Sequence, residues 1–492
     1  MRLVDKVPGE ARGSVGCRLC RADLQRRPHG PIRRLREGST PPRFRYTPDI
    51  VSPARRSTRP RPDLLACLLL LACARPLGDD TAEADTDTLL DTAETADTAP
   101  AATPCTGALE APEGSYFAQG SSVSGTLSEC AGVTHVTAGA VNSWLSVTLT
   151  DWEGESALLT VTDAGNHPLL GATRLWLGEP VDVQLWQSGE VMLRLDAPDS
   201  GAHAYTVSVR CAEGCEQEFT RYPLVLMHGM GGAEAFDGVD YFYNVRGTLE
   251  ARGYLVRNPT VAAFATTEAR AEAWQLELDA MQAEGLGRKF NLLAHSQGGL
   301  DARYLISALG DSDRIASLDM VATPNYGTVI ADVLSGTIED GYVDATIVDA
   351  CTAAFASVYG LDATDASLAT AMAALTTETL AAFNEVVLDD PDVYYTSWSG
   401  HTCDALDFDC QDAHGDETVE ALMAPLLWIM AIEEQESDGL VPVDSAVWGD
   451  WQGEIDGDHL DEIGQFEDQE NPAFQHLDFY TSEVQRLAGM GF

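Results

Sequence analysis

The fold is decided by residues 290–300, which read FNLLAHSQGGL. The apolar residues that open this stretch predict a buried strand, and a helix is predicted to follow it. Between the two, Ser296 has the small neighbours Ala294, Gly298 and Gly299, which a sharp turn from strand to helix requires. Alanine stands in place of the first glycine of the usual Gly-x-Ser-x-Gly pattern. The pattern indicates a nucleophilic serine, although a serine in this position is also a common helix N-cap.

Two more apolar stretches, one upstream and one downstream of Ser296, are each followed directly by a segment with loop-forming residues. Residues 223–227, PLVLM, precede the glycine-rich segment 228–232, HGMGG, and residues 318–322, LDMVA, precede Thr323 and Pro324. Continuous apolar stretches of this length are typical of strands that are buried on both faces. Strands that alternate with helices predict a mostly parallel sheet and therefore an α/β fold.

A serine hydroxyl becomes an effective nucleophile only when a base removes its proton, and an acid must orient that base. In this type of fold the acid and then the histidine follow the serine along the chain. His459 stands out because it lies in the acidic segment 458–463, DHLDEI. Asp438 lies in the turn SDGLVP and is either the acid or only a turn former. The histidines well after Ser296 are His401, His414, His459 and His476.

Several spaced motifs make residues 222–480 similar to the true lipases of the Pseudomonas and Burkholderia type, which belong to the α/β-hydrolase superfamily. The matching segments are YPLVLMHG at 222–229, HSQGGL at 295–300, YYTSWSG at 394–400, DGLV at 438–441 and HLDEI at 459–463. The resemblance covers about half of the chain. One departure is Asn325, where the family usually has a histidine after the proline.

The resemblance implies a complete set of catalytic groups. Ser296 would be the nucleophile, Asp438 the acid and His459 the general base. The backbone N–H groups of Met230 and Gln297 would form an oxyanion hole, facing the charge that develops on the carbonyl oxygen.

The resemblance also implies a structural calcium ion, which would hold the loop after His459. Calcium prefers oxygen ligands, although carboxylates also cluster by chance in so acidic a chain. The implied ligands are Asp461, Gln465, a backbone carbonyl at about Gln469, and an upstream carboxylate, for which Asp416 competes with Asp409 and Asp412.

A long helical insertion is predicted at about 330–390, where alanine and leucine are frequent. The resemblance implies that it includes a lid over the site, while ordinary helical packing is the alternative. The family has a disulfide in the general region of Cys403 and Cys410. Cys351 is then left over or pairs with one of them, and the connectivity stays open. Whether a foldase chaperone is needed also stays open.

Residues 1–73 predict an Arg-rich leader rather than a domain. They end in about ten apolar residues, too few to cross a bilayer but suited to a signal peptide. The last four, LLAC, resemble a bacterial lipobox, which implies lipidation of Cys73; a plain secretion signal is the alternative. Ala74 favours the outer membrane as destination, and free secretion is the other outcome. A signal that begins near residue 50 indicates a translation start near Val51.

Two further segments lie between the leader and the α/β region. Residues 74–104 are rich in Asp, Thr, Ala and Glu and predict a disordered tether. Residues 105–216 contain alternating stretches at regular spacing and predict a smaller all-β sandwich domain, either a spacer or a binding module. Its pattern is similar to the pre-peptidase C-terminal type of secreted sandwich. Two disulfides are compatible with its cysteines, which are Cys105, Cys130, Cys211 and Cys215.

The charge of the chain excludes one class of partner. The formal net charge is −47 over 492 residues, and such a surface repels nucleic acid. Salty water, which screens like charges, is one habitat that tolerates it. We expect a secreted or surface-anchored triacylglycerol lipase whose α/β-hydrolase domain spans 217–492. The alternatives are a phospholipase or short-chain carboxylesterase on the same scaffold, and, from another class, a non-catalytic surface binding protein.

Overall fold

The structure is a computed structural model, and it describes residues 113–127, 130–232, 240–336, 353, 366–402, 424–432, 435–465 and 474–492. All of these residues belong to one compact unit, Glu94–Phe492. The predicted leader with Cys73 and the predicted tether lie outside the described residues. None of the helices in the described ranges is long and apolar enough to cross a membrane.

The chain from Glu113 to Glu213 forms two sheets in the described ranges. One has five strands in the order β1-β3-β8-β5-β6, and the other has four in the order β2-β9-β4-β7. All neighbours are antiparallel except β1 and β3. The strands are β1 (Glu113–Tyr116), β2 (Ser122–Leu127), β3 (Gly132–Gly139), β4 (Trp144–Trp152), β5 (Ser156–Asp163), β6 (Pro168–Trp176), β7 (Val181–Gln184), β8 (Gly189–Asp196) and β9 (His203–Glu213).

The alternating sequence pattern explains how these two sheets share a core. Along β9 every second residue from His203 to Val209 is buried, because successive side chains of a strand point to opposite faces. Leucines and valines from both sheets then pack into one apolar cluster. The strands β4, β5, β7, β8 and β9 contain the stretches whose alternation predicted strands.

Disulfide bonds also occur in this first part of the chain. Cys211 and Cys215 are joined near the end of β9, and Cys130 is disulfide-bonded as well. Cys105, Cys351, Cys403 and Cys410 lie outside the described residues, so the pairing proposed for the last two stays a prediction.

The second part of the described chain is built around one sheet in which every neighbouring pair is parallel. This confirms the predicted α/β class. Every residue of β10, β12 and β13 is buried, as expected for strands covered on both faces. In the order β11-β10-β12-β13-β14-β15, the strands are β10 (Leu224–Met227), β11 (Val256–Arg257), β12 (Phe290–His295), β13 (Ile315–Val321), β14 (Tyr394–His401) and β15 (Asp450–Asp456).

Helices connect these strands, and side-chain caps start several of them. Thr266 accepts the N–H of Ala269 at the start of α2, and Thr376 accepts the N–H of Thr379 at the start of α6. Three of the helices that the structure describes, α4 to α6, fall in the predicted insertion. The helices are α1 (Val245–Arg252), α2 (Thr267–Ala283), α3 (Gln297–Ser307), α4 (Val329–Leu334), α5 (Ala366–Ala373), α6 (Thr377–Val386), α7 (Ala424–Ile432), α8 (Val443–Ala446) and α9 (His476–Met490).

The direction of the parallel strands gives the sheet two unlike edges. At the amino edge, β12 begins directly after the half-buried Lys289, the only lysine in the chain after Lys6. At the carboxyl edge, Ser296 directly follows β12, and the segments after β10, β14 and β15 contain the other predicted catalytic positions. Ligand sites of open α/β sheets lie at the carboxyl ends of the strands, so the predicted residues lie at the edge expected for a site.

Candidate active site

Ser296 occupies the tight turn that the sequence predicted. Its φ is 55°, a conformation that side-chain-bearing residues rarely adopt, and its N–H donates to the carbonyl of Val321 at 2.9 Å. A Cβ on Gly298 would collide with the carbonyl oxygen of Met227, so glycine is required there. Ala294, in the place of the usual first glycine, is accommodated in the buried end of β12. The turn is therefore formed despite the substitution in the pattern.

The structure places Asp438 and His459 in direct contact. His459 Nδ1 lies 2.7 Å from Asp438 Oδ2, and both side chains are buried. The other carboxylate oxygen of Asp438 accepts the N–H groups of Leu440 and Val441 at 2.7 and 2.6 Å. The N–H of His459 also donates to the Asp438 carbonyl at 3.0 Å. The turn predicted for Asp438 thus exists, and its carboxylate also orients the imidazole.

The remaining ring nitrogen of His459 is buried and is not engaged by the described residues. Among the described residues, His459 Nε2 has no hydrogen-bond partner, and its ring lies 4.5 Å from the ring of His295, the residue before Ser296. The Ser296 hydroxyl and His459 are not hydrogen-bonded in this structure. Catalytic hydrogen bonds are often long without substrate and tighten in the substrate complex. The structure thus brings two predicted members into contact and places the third at the adjoining turn.

Of the two predicted oxyanion donors, Met230 lines the same cavity as Ser296, and Gln297 directly follows Ser296 in the chain. Met230 belongs to the loop after β10, and Gln297 is the first residue of α3. Among the described residues, neither N–H donates to a protein acceptor. Backbone N–H groups at the start of a helix bind negative charge favourably. These two groups are therefore available to an oxyanion.

A small cavity touches Ser296 and is almost entirely apolar. Its volume is about 10 Å³, which is room for about one water molecule. Met372 of α5 and Leu375 just after it close the cavity from the side of the insertion. The other lining residues are Met230, Pro324, Thr328, Leu440 and Val441. A substrate can reach Ser296 only if part of this wall moves.

Glu462 is a buried residue of the site to which the sequence gave no role. Its Oε2 lies 2.8 Å from His295 Nε2 and 3.6 Å from His459 Nδ1, and His295 Nδ1 lies 2.8 Å from the Tyr241 hydroxyl. Burial, reinforced by the charge of Asp438, raises the pKa of Glu462 well above its ordinary value. Burial and the neighbouring His459 lower the pKa of His295. Both shifts oppose the charged form of the side chain concerned, because burial penalises charge in each case.

His295, His459 and Glu462 also form the arrangement that most resembles a metal site in the described residues. Their ligand atoms all lie within 4.8 Å of one another. Both ring nitrogens of His295 already have hydrogen-bond partners, so hydrogen bonding accounts for the cluster without an ion. The residues proposed for calcium lie elsewhere.

Two of the proposed calcium ligands are described, and they follow His459. Gln465 Nε2 donates to the carbonyls of Asp240 and Tyr241 at 2.8 and 2.7 Å. Asp461 accepts the N–H of Asp458 at 3.1 Å. The other proposed positions, Asp409, Asp412, Asp416 and Gln469, lie outside the described residues.

The parallel sheet, the strained serine turn and the buried Asp–His pair define a serine hydrolase of the α/β-hydrolase class. Comparison with known proteins narrows this class. The chain is 28% identical to a triacylglycerol lipase of Pseudomonas fragi over 299 residues, which are 55% of this chain and 98% of the relative. It is 31% identical over 170 residues to a triacylglycerol lipase of Vibrio cholerae and 29% identical over 200 residues to that of Burkholderia plantarii. These matches span about half, 54%, of each of the latter two relatives.

Two solved structures that the chain resembles are titled lipases. One is the mature Bacillus licheniformis lipase BlEst2, with 16% identity, a TM-score of 0.40, and coverage of 54% of this chain and 92% of that chain. Another is Staphylococcus hyicus lipase, with 18% identity, a TM-score of 0.37, and coverage of 56% and 97%. No family model matches the chain. The sequence relatives confirm the resemblance: the chain is a lipase-type serine hydrolase related to the triacylglycerol lipases of Pseudomonas, Burkholderia and Vibrio.

Proposed function

We propose that this enzyme hydrolyses triacylglycerols through an acyl-serine intermediate, with Ser296 as nucleophile, His459 as general base and Asp438 as the acid. The observation that supports this most strongly is the buried 2.7 Å contact between Asp438 and His459 beside the strained turn at Ser296. A buried acid–histidine pair next to a serine on a sharp turn is the arrangement that acyl transfer requires.

Each group has one task in the reaction. Because Nδ1 of His459 donates to Asp438, Nε2 presents its lone pair and accepts the Ser296 proton as Oγ attacks the ester carbonyl. The oxyanion accepts the N–H groups of Met230 and Gln297. His459 then returns the proton to the departing alcohol, which leaves the acyl group on Ser296. A water molecule, deprotonated by His459, attacks this ester and releases the fatty acid.

The apolar lining of the cavity at Ser296 supports an apolar acyl group in the substrate. Its lining is apolar apart from Ser296 and Thr328, and the wall that closes it contains Met372 and Leu375 of the helical insertion. We propose that α5 is part of a lid and that a lipid surface favours its displacement, because the residues it exposes on opening are apolar.

A labelling experiment tests the catalytic assignment. A fluorophosphonate probe is expected to modify wild-type protein at Ser296 and to leave Ser296→Ala unlabelled. Absence of labelling in folded wild-type protein would favour a non-catalytic binding protein. Hydrolysis rates for triglycerides of increasing chain length, phospholipids and short soluble esters then identify the substrate. A preference for phospholipids or short esters would replace the triacylglycerol proposal by one of those activities.

We also propose a structural calcium ion beside the loop that follows His459. The described part of the site fits oxygen chemistry: the Gln465 amide nitrogen is engaged by two carbonyls, so its oxygen is the atom left to act as a ligand, and Asp461 adds a carboxylate. Chelation is expected to lower the melting temperature, and Asp461→Ala should reproduce this change and abolish the further effect of the chelator. Indifference of the melting temperature to chelation would refute the ion.

The proposal extends to the parts of the chain before the catalytic region. We propose that residues 105–216 form a β-sandwich domain, which the two sheets around one apolar core support, and that 217–492 form the hydrolase domain. We further propose that Cys73 is the lipidated first residue of an outer-membrane protein; the disulfide Cys211–Cys215 is consistent with an oxidising compartment. Mass spectrometry of membrane-extracted protein tests this, and a soluble product unaffected by Cys73→Ser would refute it. A foldase is tested by comparing refolding yields with and without a cell extract.

A further inference from the structure

Arg270 is a fully buried arginine, 26 positions before Ser296 in the sequence. It contacts the loop after β10, which contains Met230. Its guanidinium makes hydrogen bonds in three directions. Nη2 donates to the carbonyls of His228 and Gly229 at 2.6 and 3.2 Å. Nη1 donates to the carbonyl of Ala262 at 2.7 Å, and Nε donates to Asp301 Oδ2 at 2.8 Å. Most of this planar group is therefore bonded to backbone, which a compact ammonium could not imitate.

The bond to Gly229 has a geometric consequence for Met230. The Gly229 carbonyl and the Met230 N–H belong to one trans peptide unit, in which the two groups point in opposite directions. A donor that holds the carbonyl oxygen from behind therefore directs the N–H to the other side. That N–H has no acceptor among the described residues, and Met230 lines the cavity at Ser296.

His228 holds the same carbonyl oxygen from a second position. Its Nε2 accepts the N–H of Val261 at 3.0 Å, so the proton of the neutral ring is on Nδ1, which donates to the Gly229 carbonyl at 2.8 Å. Burial, with the charge of Arg270 as a second cause, lowers the pKa of His228 to about 3. The ring is therefore neutral over the working range of pH, and its tautomer is fixed.

Asp301 connects this arrangement to the second oxyanion donor. It lies on α3, the helix whose first residue is Gln297, and its Oδ2 also accepts Trp274 Nε1 at 3.2 Å. The Arg270 guanidinium therefore connects the two segments that carry the two donors. Through Asp301 it holds α3, which carries the Gln297 N–H, and through the Gly229 carbonyl it holds the loop that carries the Met230 N–H.

We propose that Arg270 is a positioning residue of the oxyanion hole, holding the Met230 and Gln297 N–H groups at the separation that a tetrahedral oxyanion requires. This inference rests on the proposed function, in which these groups stabilise that oxyanion. Arg270 does not touch the substrate; it acts by fixing two peptide groups in advance, which is the property that makes such donors effective.

The test is Arg270→Lys, assayed for kcat and KM on a soluble ester and for affinity toward a trifluoromethyl ketone that forms a tetrahedral adduct with serine. We expect kcat to fall about 10- to 100-fold with KM within about twofold, and the ketone affinity to fall by a similar factor, because the donors act on the transition state. Folded Arg270→Lys protein with wild-type kcat and ketone affinity would overturn the proposal.

Arg486→Lys is the matched control. Arg486 also pairs with a buried carboxylate, Asp319, at 2.7 Å, but it lies on α9 and contacts no oxyanion donor. This variant should lower the melting temperature and keep the wild-type kcat. An equal loss of kcat in both variants would mean that lost stability alone explains the effect, and would overturn the positioning role.

A second variant keeps the test decisive if Arg270→Lys does not fold. His228→Phe preserves ring shape and removes the Nδ1 bond to the Gly229 carbonyl, so kcat and ketone affinity should fall together. Unchanged values in this folded variant would overturn the proposal. Ser296→Ala distinguishes failure of the proposed function from failure of the Arg270 proposal. Substantial activity in this variant would refute the proposed function itself, whatever the result at Arg270.

Discussion

The two-sheet region from β1 to β9 and the parallel-sheet region from β10 onward are both well buried, but they bury different groups. In the first, the shared core is apolar, and its buried carboxylate Glu190 binds Arg221 and Arg288 at 2.8 Å each. In the second, Arg270, Asp301, Asp319, Asp438, His295 and Glu462 are each fully buried. A buried charge is costly unless paired and hydrogen-bonded. The parallel-sheet region is therefore the one that has given up stability for a fixed arrangement of polar groups.

The largest contrast should come from two buried serines, one in each region. Ser296→Ala is expected to lower kcat by about 10⁴-fold or more, and His459→Ala by a similar factor, because members of a triad act as a unit. Ser146→Ala in β4 should leave kcat unchanged, since that buried hydroxyl has no hydrogen-bond partner in the part of the chain that the structure describes. Ester hydrolysis and thermal melting measure both effects. Retention of activity in Ser296→Ala or His459→Ala would refute the catalytic role proposed for that residue.

Two glycines, one in each region, differ in how tightly their surroundings are packed. A Cβ on Gly400 would collide with the Glu462 carboxylate and lie 2.8 Å from Asp438 Cβ, whereas a Cβ on Gly171 in β6 would meet nothing within 4 Å. We expect Gly400→Ala to lower the free energy of unfolding by about 1–3 kcal/mol and kcat at least tenfold, because Asp438 must shift. Gly171→Ala should change stability by less than about 0.5 kcal/mol. Equal melting curves for the two variants would contradict the packing at Gly400.

A third prediction concerns the ion pairs by which the first region contacts the second. Glu190→Gln removes a buried charge that two arginines share, and we expect the free energy of unfolding to fall by about 1–3 kcal/mol with kcat unchanged. The control is Glu250→Gln, which breaks the exposed pair with Arg246 and should cost less than about 1 kcal/mol. Denaturant unfolding separates the two. A drop in kcat for Glu190→Gln would show that the two regions are coupled functionally.

The smallest expected effect is a dependence of stability on pH that has opposite signs in the two regions. For His203 of β9, burial lowers the pKa, but the hydrogen bonds that the ring donates to the Glu153 carbonyl and the Asp199 carboxylate outweigh this effect, so the pKa is raised. A raised folded pKa stabilises below the unfolded value of about 6.5 and loses this effect as pH rises through the folded value. His228, with its pKa of about 3, destabilises as pH falls below about 6.5.

The measurement for this prediction is the melting temperature of His203→Gln at pH 5.5 and pH 8.5. The variant should melt below the wild type at the lower pH and nearly with it at the higher pH. His167→Gln is the control, because the ring of His167 is mostly exposed and we expect no such difference. A His203→Gln deficit that is equal at both values of pH would contradict a stabilising charged form.

The sequence predicted the features that depend on order along the chain. Apolar stretches before Met230 and Ser296 located the strands. The order serine, acid, histidine left four histidines, and the resemblance to the lipases singled out Asp438 and His459. Glu462 was not assigned a role because burial is what makes it unusual, and burial is invisible among so many carboxylates. Strand β6 was missed because most of its residues are at least partly exposed, which weakens the alternation that indicates a strand.

The structural role of Arg270 could not be predicted for a related reason. Its partners His228 and Asp301 are 42 and 31 positions away, so only the packing of α2 against the loop after β10 and against α3 brings them together. No local pattern distinguishes this arginine from those that form exposed pairs. The sequence thus indicated the groups proposed to react, while the groups proposed to hold them in place could be identified only in the folded chain.

The scarcity of lysine has a practical consequence for attaching the enzyme to a solid support. Lys289 precedes β12 and Ser296 follows it, so the only amine side chain after Lys6 is separated from the nucleophile by the length of a six-residue strand, roughly 20 Å at about 3.3 Å per residue. Amine-directed coupling through Lys289 would therefore anchor the protein by the amino edge of its sheet. An immobilised layer made in this way would present its catalytic edge to the passing oil droplet rather than to the resin.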